Sequence, residues 1–265
     1  VELRRKSKPF WAILGDHGIG CTVLRVPITF PPEKFDGRVL AAMCTPDLKG
    51  TQGSFSQFTT RLAEATFENG SRYPLRRVAD HCEGEIEGPE GVARIPFRLR
   101  KSAGASVRLE IAGEVHELRF GEYSSWIQLR FRGAAGIARF LLTELGDDID
   151  LYMSPINIDP VKPALPISHP STYSVYLANL LGSFATVGMA EDTWALNEGV
   201  IDDDAFLRQA YSIFEEREAM FMSALENTRH GDHHVGLRGG RQLVVERLDI
   251  GPDRTQIERI AHDDE

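Results

Sequence analysis

The apolar residues of this chain do not keep one period, and that change limits what it can fold into. Residues 21–30 read CTVLRVPITF, rich in the Val, Ile, Thr and Leu that suit a buried strand. Residues 9–14 in front of it predict a short helix, with Pro9 in the first turn, where a missing N–H costs nothing. Gly15 and Gly18 end that helix, and Pro31 and Pro32 stop the strand. Helix, glycine turn and apolar strand form one half of an α/β unit with a parallel sheet. Further along, the period falls to two. Val107, Leu109 and Ile111 alternate with polar residues, Ala112 and Gly113 make a turn, and residues 115–120 return. Residues 126–131 predict a third such strand and residues 149–153 a fourth. Alternation with short turns predicts an antiparallel sheet with one wet face.

The expected organisation follows from that switch. Residues 1–60 and 154–230 form an α/β framework, and residues 61–153 form a β-rich antiparallel insertion within it. A tail of different character occupies residues 231–265. Residues 33–60 are dense in Gly, Pro, Thr and Ser and are expected to be a long ordered loop. Residues 155–170 carry five prolines and are expected to be an extended connector. Residues 173–181 predict a short apolar helix. Asp202, Asp203 and Asp204 precede a long one, where acids cap orphan N–H groups and favour the positive end of the dipole. Its expected apolar face is Phe206, Ala210, Ile213, Phe214, Met220, Phe221, Ala224 and Leu225. In the tail, a strand is expected at 243–250 and a short helix at 255–261. A length of 265 residues suffices for a substantial core in one or two domains.

Composition removes some function classes. A formal net charge of −9 argues against a nucleic-acid-binding surface over the whole chain. The one dense basic run, Arg4, Arg5, Lys6 and Lys8, reads as a solvated segment. Cys21, Cys44 and Cys82 are widely spaced with no C-x-x-C, so free thiols of a reducing cytoplasm are expected. No apolar run approaches the about 20 residues that span a bilayer, and no signal peptide is visible. No membrane partner is expected, and the expected location is cytoplasmic.

Candidate chemistry is sparse. Asp16-His17-Gly18 falls in the turn before the first strand, at the strand's entry edge, whereas open α/β sheets bind ligands at the carboxyl ends. In Asp232-His233-His234 the residue types suit zinc, but neighbours in an extended segment point to opposite faces and no third ligand is spaced to join them. Asp80-His81-Cys82 reads as a surface loop, and His116 and His169 as structural. The run Thr45-Pro46-Asp47-Leu48-Lys49-Gly50 is the candidate substrate-side loop. Lys49 could meet a phosphate as a point charge, and Gly50 and Gly53 permit close backbone approach. The alternative is a surface turn stabilised by Thr45 and Asp47. Glu191 and Asp192 are expected to accept backbone N–H groups. No G-x-S-x-G, P-loop or H-E-x-x-H occurs.

Four strings are distinctive: VPITFPPEKF, TPDLKGTQGSF, EGEIEGPE and PISHPSTYSVYLANLLGSFATVGMAEDTWALNEG. They resemble bacterial proteins of the type I phosphodiesterase/nucleotide pyrophosphatase branch of the alkaline phosphatase superfamily, from about Arg4 to about Gly231. The resemblance implies a partial alkaline-phosphatase-like, mostly parallel sheet with flanking helices. It also implies hydrolysis of a phosphodiester or nucleotide-like small molecule by a Thr or Ser nucleophile and two divalent metal ions, commonly zinc. It places the loop of Thr45, Asp47 and Lys49 on the catalytic side of the sheet. No nucleophile and no metal ligand carries over. The nucleophile segment is expected before Val1. An Asp, and a His four residues later, are expected after the long helix, where this chain reads HGDHHVGLRGGRQLVVERLDI. The expectation is the central part of a metal-dependent hydrolase that holds no cofactor, is inactive alone and self-associates through an open sheet edge. The alternative is a non-catalytic binding module or pseudoenzyme that uses the β-rich insert.

Overall fold

A computed structural model describes residues 6–61, 66–91, 93–227, 233–238 and 242–246, the last two ranges as backbone only. The chain is mixed α/β and mostly strand. It opens with helix α1 (Phe10–Asp16), which follows Pro9, then strand β1 (Cys21–Leu24) and strand β2 (Gly37–Leu40), parallel to β1. The apolar run 21–30 was expected to be one strand, but the strand ends at Leu24. Arg25 and Ile28 take φ of 56° and 58°, which no strand accommodates, and Pro27 between them has no N–H to give a ladder.

A mostly antiparallel part follows. Its strands are β3 (Phe55–Thr59), β4 (Gly70–Pro74), β5 (Arg76–Val78), β6 (His81–Glu87), β7 (Arg94–Lys101), β8 (Ser106–Ile111), β9 (Glu114–Arg119), β10 (Ile127–Phe131), β11 (Ala134–Ala138), β12 (Phe140–Leu145) and β13 (Ile149–Met153). Strands β5 to β9 form a meander in sequence order, and β12, β13, β3 and β4 form a second sheet in that order. Among the described strands of this part, only the pair β3 and β4 runs parallel. The hairpin turn at Ala112 and Gly113 is as expected, with φ of 52° and 84°. Two expectations need correction. Residues 33–60 are not all loop, since β2 and β3 lie within them. Asp80-His81-Cys82 is no surface loop, because β6 begins at His81 and buries Cys82.

Burial explains why β3 was illegible as a strand. All five residues of β3 and all five of β13 are buried. Their sheet is a shared layer. One face, with Phe58, Phe140, Leu142, Leu151 and Met153, packs on the inner face of the meander. The other, with Phe55, Leu141 and Tyr152, packs on the helices. A strand covered on both sides has no wet face and loses its alternation.

The rest of the chain closes the α/β part. Two-residue strands β14 (Asn157–Ile158) and β15 (Ser168–His169) interrupt the proline-rich connector. Then come α2 (Tyr173–Leu181), α3 (Thr193–Asn197) and α4 (Asp203–Glu226). The α4 N-cap is Asp202, whose carboxylate accepts from the Ala205 N–H at 2.7 Å. The last two strands are β16 (His233–Arg238) and β17 (Gln242–Glu246). The α/β sheet runs β15-β2-β1-β16-β17, with β16, β1 and β2 parallel and the two outer strands antiparallel. Trp11 and Ala12 of α1 cover one face against Cys21, Val23 and Val39. Tyr173, Leu177 and Met220 cover the other against Leu24 and Leu40. Strand period two thus sorts β1 between two helical layers. The expected strand at 243–250 is met over β17 only as far as Glu246, and the expected helix at 255–261 lies outside the described residues. No described helix is long and apolar enough to cross a membrane.

The buried face of α4 is not the expected stripe. It is formed by Ala205, Gln209, Ile213, Met220 and Ser223. Phe206, Phe214, Phe221, Ala224 and Leu225 are only half-buried. Gln209 is accommodated on the inner face because its amide has partners there, the Tyr152 hydroxyl and the Asp192 N–H.

Candidate functional site

In an open α/β sheet the carboxyl ends of parallel strands are where loops converge on a ligand. Here three segments distant in sequence meet at that edge: residues 25–30 after β1, 41–54 after β2, and 184–192 before α3. Arg25 ties them together. It is 5% exposed, and its backbone N–H donates to the Leu40 carbonyl at 3.0 Å. Its guanidinium donates to the carbonyls of Ala41 at 3.3 Å, Thr186 at 3.5 Å and Val187 at 3.0 Å. Burial lowers its pKa from the usual value to about 10, with repulsion from Arg217 adding to the effect and Glu216 and Glu191 opposing it. A group this basic stays charged at neutral pH even so, and a flat fork of donors suits three carbonyls from two segments.

The other bonds at this edge are also structural. Thr29 Oγ1 accepts from the Ala42 N–H at 3.1 Å and donates to the Val26 carbonyl at 2.7 Å. Asn157 Oδ1 accepts from the N–H groups of Thr186 at 2.7 Å and Val187 at 2.9 Å. Gly188 N–H donates to the Thr45 carbonyl at 2.9 Å. A Cβ at Gly188 would stand 2.7 Å from the Cys44 nitrogen, so only glycine lets the two loops approach this closely.

The three residues of the expected substrate-side loop have separate fates. Thr45 is buried, and its hydroxyl donates to the Ala42 carbonyl at 2.6 Å. Asp47 is fully buried. Its carboxylate accepts from the N–H and hydroxyl of Thr51 and the N–H of Ser54. Both therefore hold the turn. Lys49 is half-exposed, with its Nζ 5.9 Å from the centre of the Tyr73 ring on β4. It lies on the side of the loop toward the insertion.

What the edge does present is an apolar, strained rim. Ile28, Met43, Cys44 and Met189 are exposed there. Arg25, Ile28 and Cys44 all take positive φ, the last at 78°. Such conformations cost about 1–3 kcal/mol each and persist only where surroundings enforce them. For β-branched Ile28 the conformation is a genuine outlier.

Behind the rim lies a buried ionic layer that the sequence reading missed. Glu216 of α4 accepts from the Ala185 N–H at 2.8 Å, the Trp126 indole at 2.9 Å and Arg139 at 2.9 Å. Burial pushes its carboxyl above the usual range, although the Ala185 N–H and Arg139 pull it down. Arg139 stacks on Trp126 at 4.6 Å. Arg217 pairs with Glu191 at 3.0 Å. Next to it, Asp192 caps α3 through the Ala195 N–H at 2.9 Å and accepts from the Tyr152 hydroxyl at 2.8 Å. Gln209 donates to that hydroxyl at 3.2 Å and accepts from the Asp192 N–H at 2.8 Å. Asp192 accepts a backbone N–H as expected, and Glu191 pairs with an arginine instead. The available signal was charge and amide on the inner positions of a helix. Glu216 and Gln209 lie one turn from Ile213 and Met220, where an unpaired polar group would be costly.

The histidine clusters do not assemble. Asp16-His17-Gly18 sits at the entry edge, where His17 Nδ1 meets the Ile13 carbonyl at 2.8 Å. His233 and His234 lie in β16 opposite Cys21 and Thr22, and Asp232 lies outside the described residues. Among the described residues no three His, Cys, Asp or Glu side chains group as metal ligands. Among the described residues at the carboxyl edge, the polar side chains named above bond the backbone and one another. Comparisons with protein-family models, curated proteins and solved structures found no match.

Proposed function

We propose that the chain carries the substrate-side frame of a metal-dependent phosphodiesterase or nucleotide pyrophosphatase-like hydrolase and has no catalytic centre of its own. One observation supports this reading above the rest. Two of the strings that carry the resemblance, TPDLKGTQGSF and the ATVGMAED part of the long one, come from loops about 140 residues apart by sequence number, and the Gly188 N–H joins them at the carboxyl edge by donating to the Thr45 carbonyl, while the guanidinium of Arg25 ties Thr186 and Val187 to Ala41, just before the first string. That is the edge where α/β enzymes of this layout act. The frame would receive a phosphodiester or nucleotide-like molecule, with Lys49 as the available point charge. Two divalent metals, commonly zinc, would come with the nucleophile, and no residue of this chain is assigned to hold them. The pure chain, assayed with a chromogenic phosphodiester and added zinc, should give no more product than the buffer blank. Zinc-dependent turnover that scales with protein concentration would overturn the proposal.

The second reading, a binding module, has its own observation. The meander's outer face forms a trough of about 810 Å³. Across it runs a cross-strand row of Arg76, Glu83, Arg98, Glu110 and Val115, one residue from each strand.

A further inference from the structure

Helix α4 carries apolar residues on two faces. Ala205, Gln209, Ile213, Met220 and Ser223 are buried against the body. On the other side Leu207, Tyr211, Phe214, Glu218, Phe221 and Leu225 follow one another in steps of four, three, four, three and four residues. That alternation is the spacing of a seam along which two helices pair. A helix with apolar residues on both sides is normally covered on both. Here the first half of the seam is open, with Leu207 50% exposed, Tyr211 67% exposed and Phe214 half-buried. The flank of the seam says what fits it. Arg208 and Glu215 each follow a seam residue, so they lie on the same side of it, and both are exposed. Neither makes a hydrogen bond or ion pair with a described residue. In two helices paired antiparallel about a two-fold axis, each flank meets its own copy. With Tyr211 of each copy packed on Phe214 of the other, Arg208 of each copy lies beside Glu215 of the other, and two ion pairs form together. Glu218, the polar member of the seam, then falls at the solvated end of the contact. In a parallel pair Glu215 would meet Ala210 and stay unpaired.

We propose that the first half of α4 is the interface of a homodimer, in which two copies of the chain pair antiparallel with Tyr211 and Phe214 at the centre and Arg208–Glu215 ion pairs along one flank. This surface is separate from the open edge of the sheet and does not depend on the hydrolase reading. The contact from Leu207 to Glu218 covers about 16 Å of helix at 1.5 Å per residue, which is short, so association should be weak and concentration-dependent. Sedimentation equilibrium of the full chain should show monomer and dimer in exchange. Tyr211→Lys changes a side chain that contributes little to the fold and should weaken the dimer about tenfold or more, with the urea unfolding curve of the monomer unchanged. Arg208→Glu should weaken it by setting like charges side by side, and adding Glu215→Arg should restore it, because the swapped charges are again opposite. A monomer at every concentration up to about 1 mM would overturn the proposal. So would a dimer that Tyr211→Lys leaves intact, the result expected if copies join at the sheet edge. A double variant no tighter than Arg208→Glu alone would overturn the antiparallel pairing on which the proposal stands.

Discussion

Arg25 is the residue on which the carboxyl edge depends most. Arg25→Met keeps much of the apolar stem but leaves the carbonyls of Ala41, Thr186 and Val187 without their donor. Each buried acceptor so orphaned costs about 1–3 kcal/mol, and removal of the buried charge recovers part of that. The net loss should be about 3 kcal/mol by urea unfolding, with faster amide exchange at residues 41–47 and 184–188. Arg25→Lys should rescue little, since one ammonium cannot span three carbonyls as the fork does. A loss below about 0.5 kcal/mol for Arg25→Met, the range of ordinary surface changes, would remove Arg25 as the organiser. In the sequence, Arg25 was visible only as a charge inside an apolar run. Its role rests on a positive φ that no local pattern encodes in a non-glycine residue. Asp47 is the converse case. The turn alternative was legible from Asp and Thr beside glycines, and its three accepted bonds fit that alternative.

Among elements, the β12-β13-β3-β4 layer decides stability, because it belongs to two cores at once. Phe58 reaches the meander and Tyr152 the helices. Phe58→Ala should cost about 3–5 kcal/mol, the cost of emptying a closed aromatic site. Tyr152→Phe should cost about 1–2 kcal/mol, since it takes a donor from Asp192 and an acceptor from Gln209. The two losses should be separable by site-resolved exchange, with the first loosening the meander and the second α3 and the start of α4. If both variants loosened the same amides equally, the layer would be one core and not a partition between two. The helices were legible because their caps and apolar steps are local. Residues 173–181 form α2 over the expected span, and Asp202 caps α4. Which face of α4 turns inward was not legible, because Gln209 and Glu216 are tolerated inside only through Tyr152, Trp126 and Arg139, which are remote in sequence.

For the whole molecule, the switch from an α/β pattern to period two was legible in the sequence, and so were the two kinds of sheet it predicts. Where one ends and the other begins was not. Strand β3 precedes residue 61 yet pairs with β13 and β4, and burial on both faces erased the alternation that would have revealed it. The contact between the two parts also governs the response to pH. Asp192 is the buried carboxyl at that contact, and burial raises its pKa, with bonds from the Ala195 N–H and Tyr152 hydroxyl opposing the shift. No cation pairs with it among the described residues. A carboxyl raised in the folded state binds more protons there than in the unfolded chain. Stability from this group is therefore highest below the ordinary carboxylate value of about 4 and falls as pH rises from there through the raised value, then levels off. Glu216 acts in the same direction. Asp80, Glu83, Glu117 and Asp148 are held below the ordinary range, so they act oppositely, losing stability as pH falls. They are partly or fully exposed at the surface, where screening leaves such pairs little weight. The buried pair should therefore set the slope just above pH 4. Asp192→Asn keeps a cap oxygen for Ala195 and cannot ionise, so its unfolding free energy should fall less than that of the parent chain between about pH 4 and pH 7. Parallel stability curves for the two proteins across that window would show that Asp192 titrates alike in the folded and unfolded chain, and that the contact between the sheets and helices carries no proton-linked term.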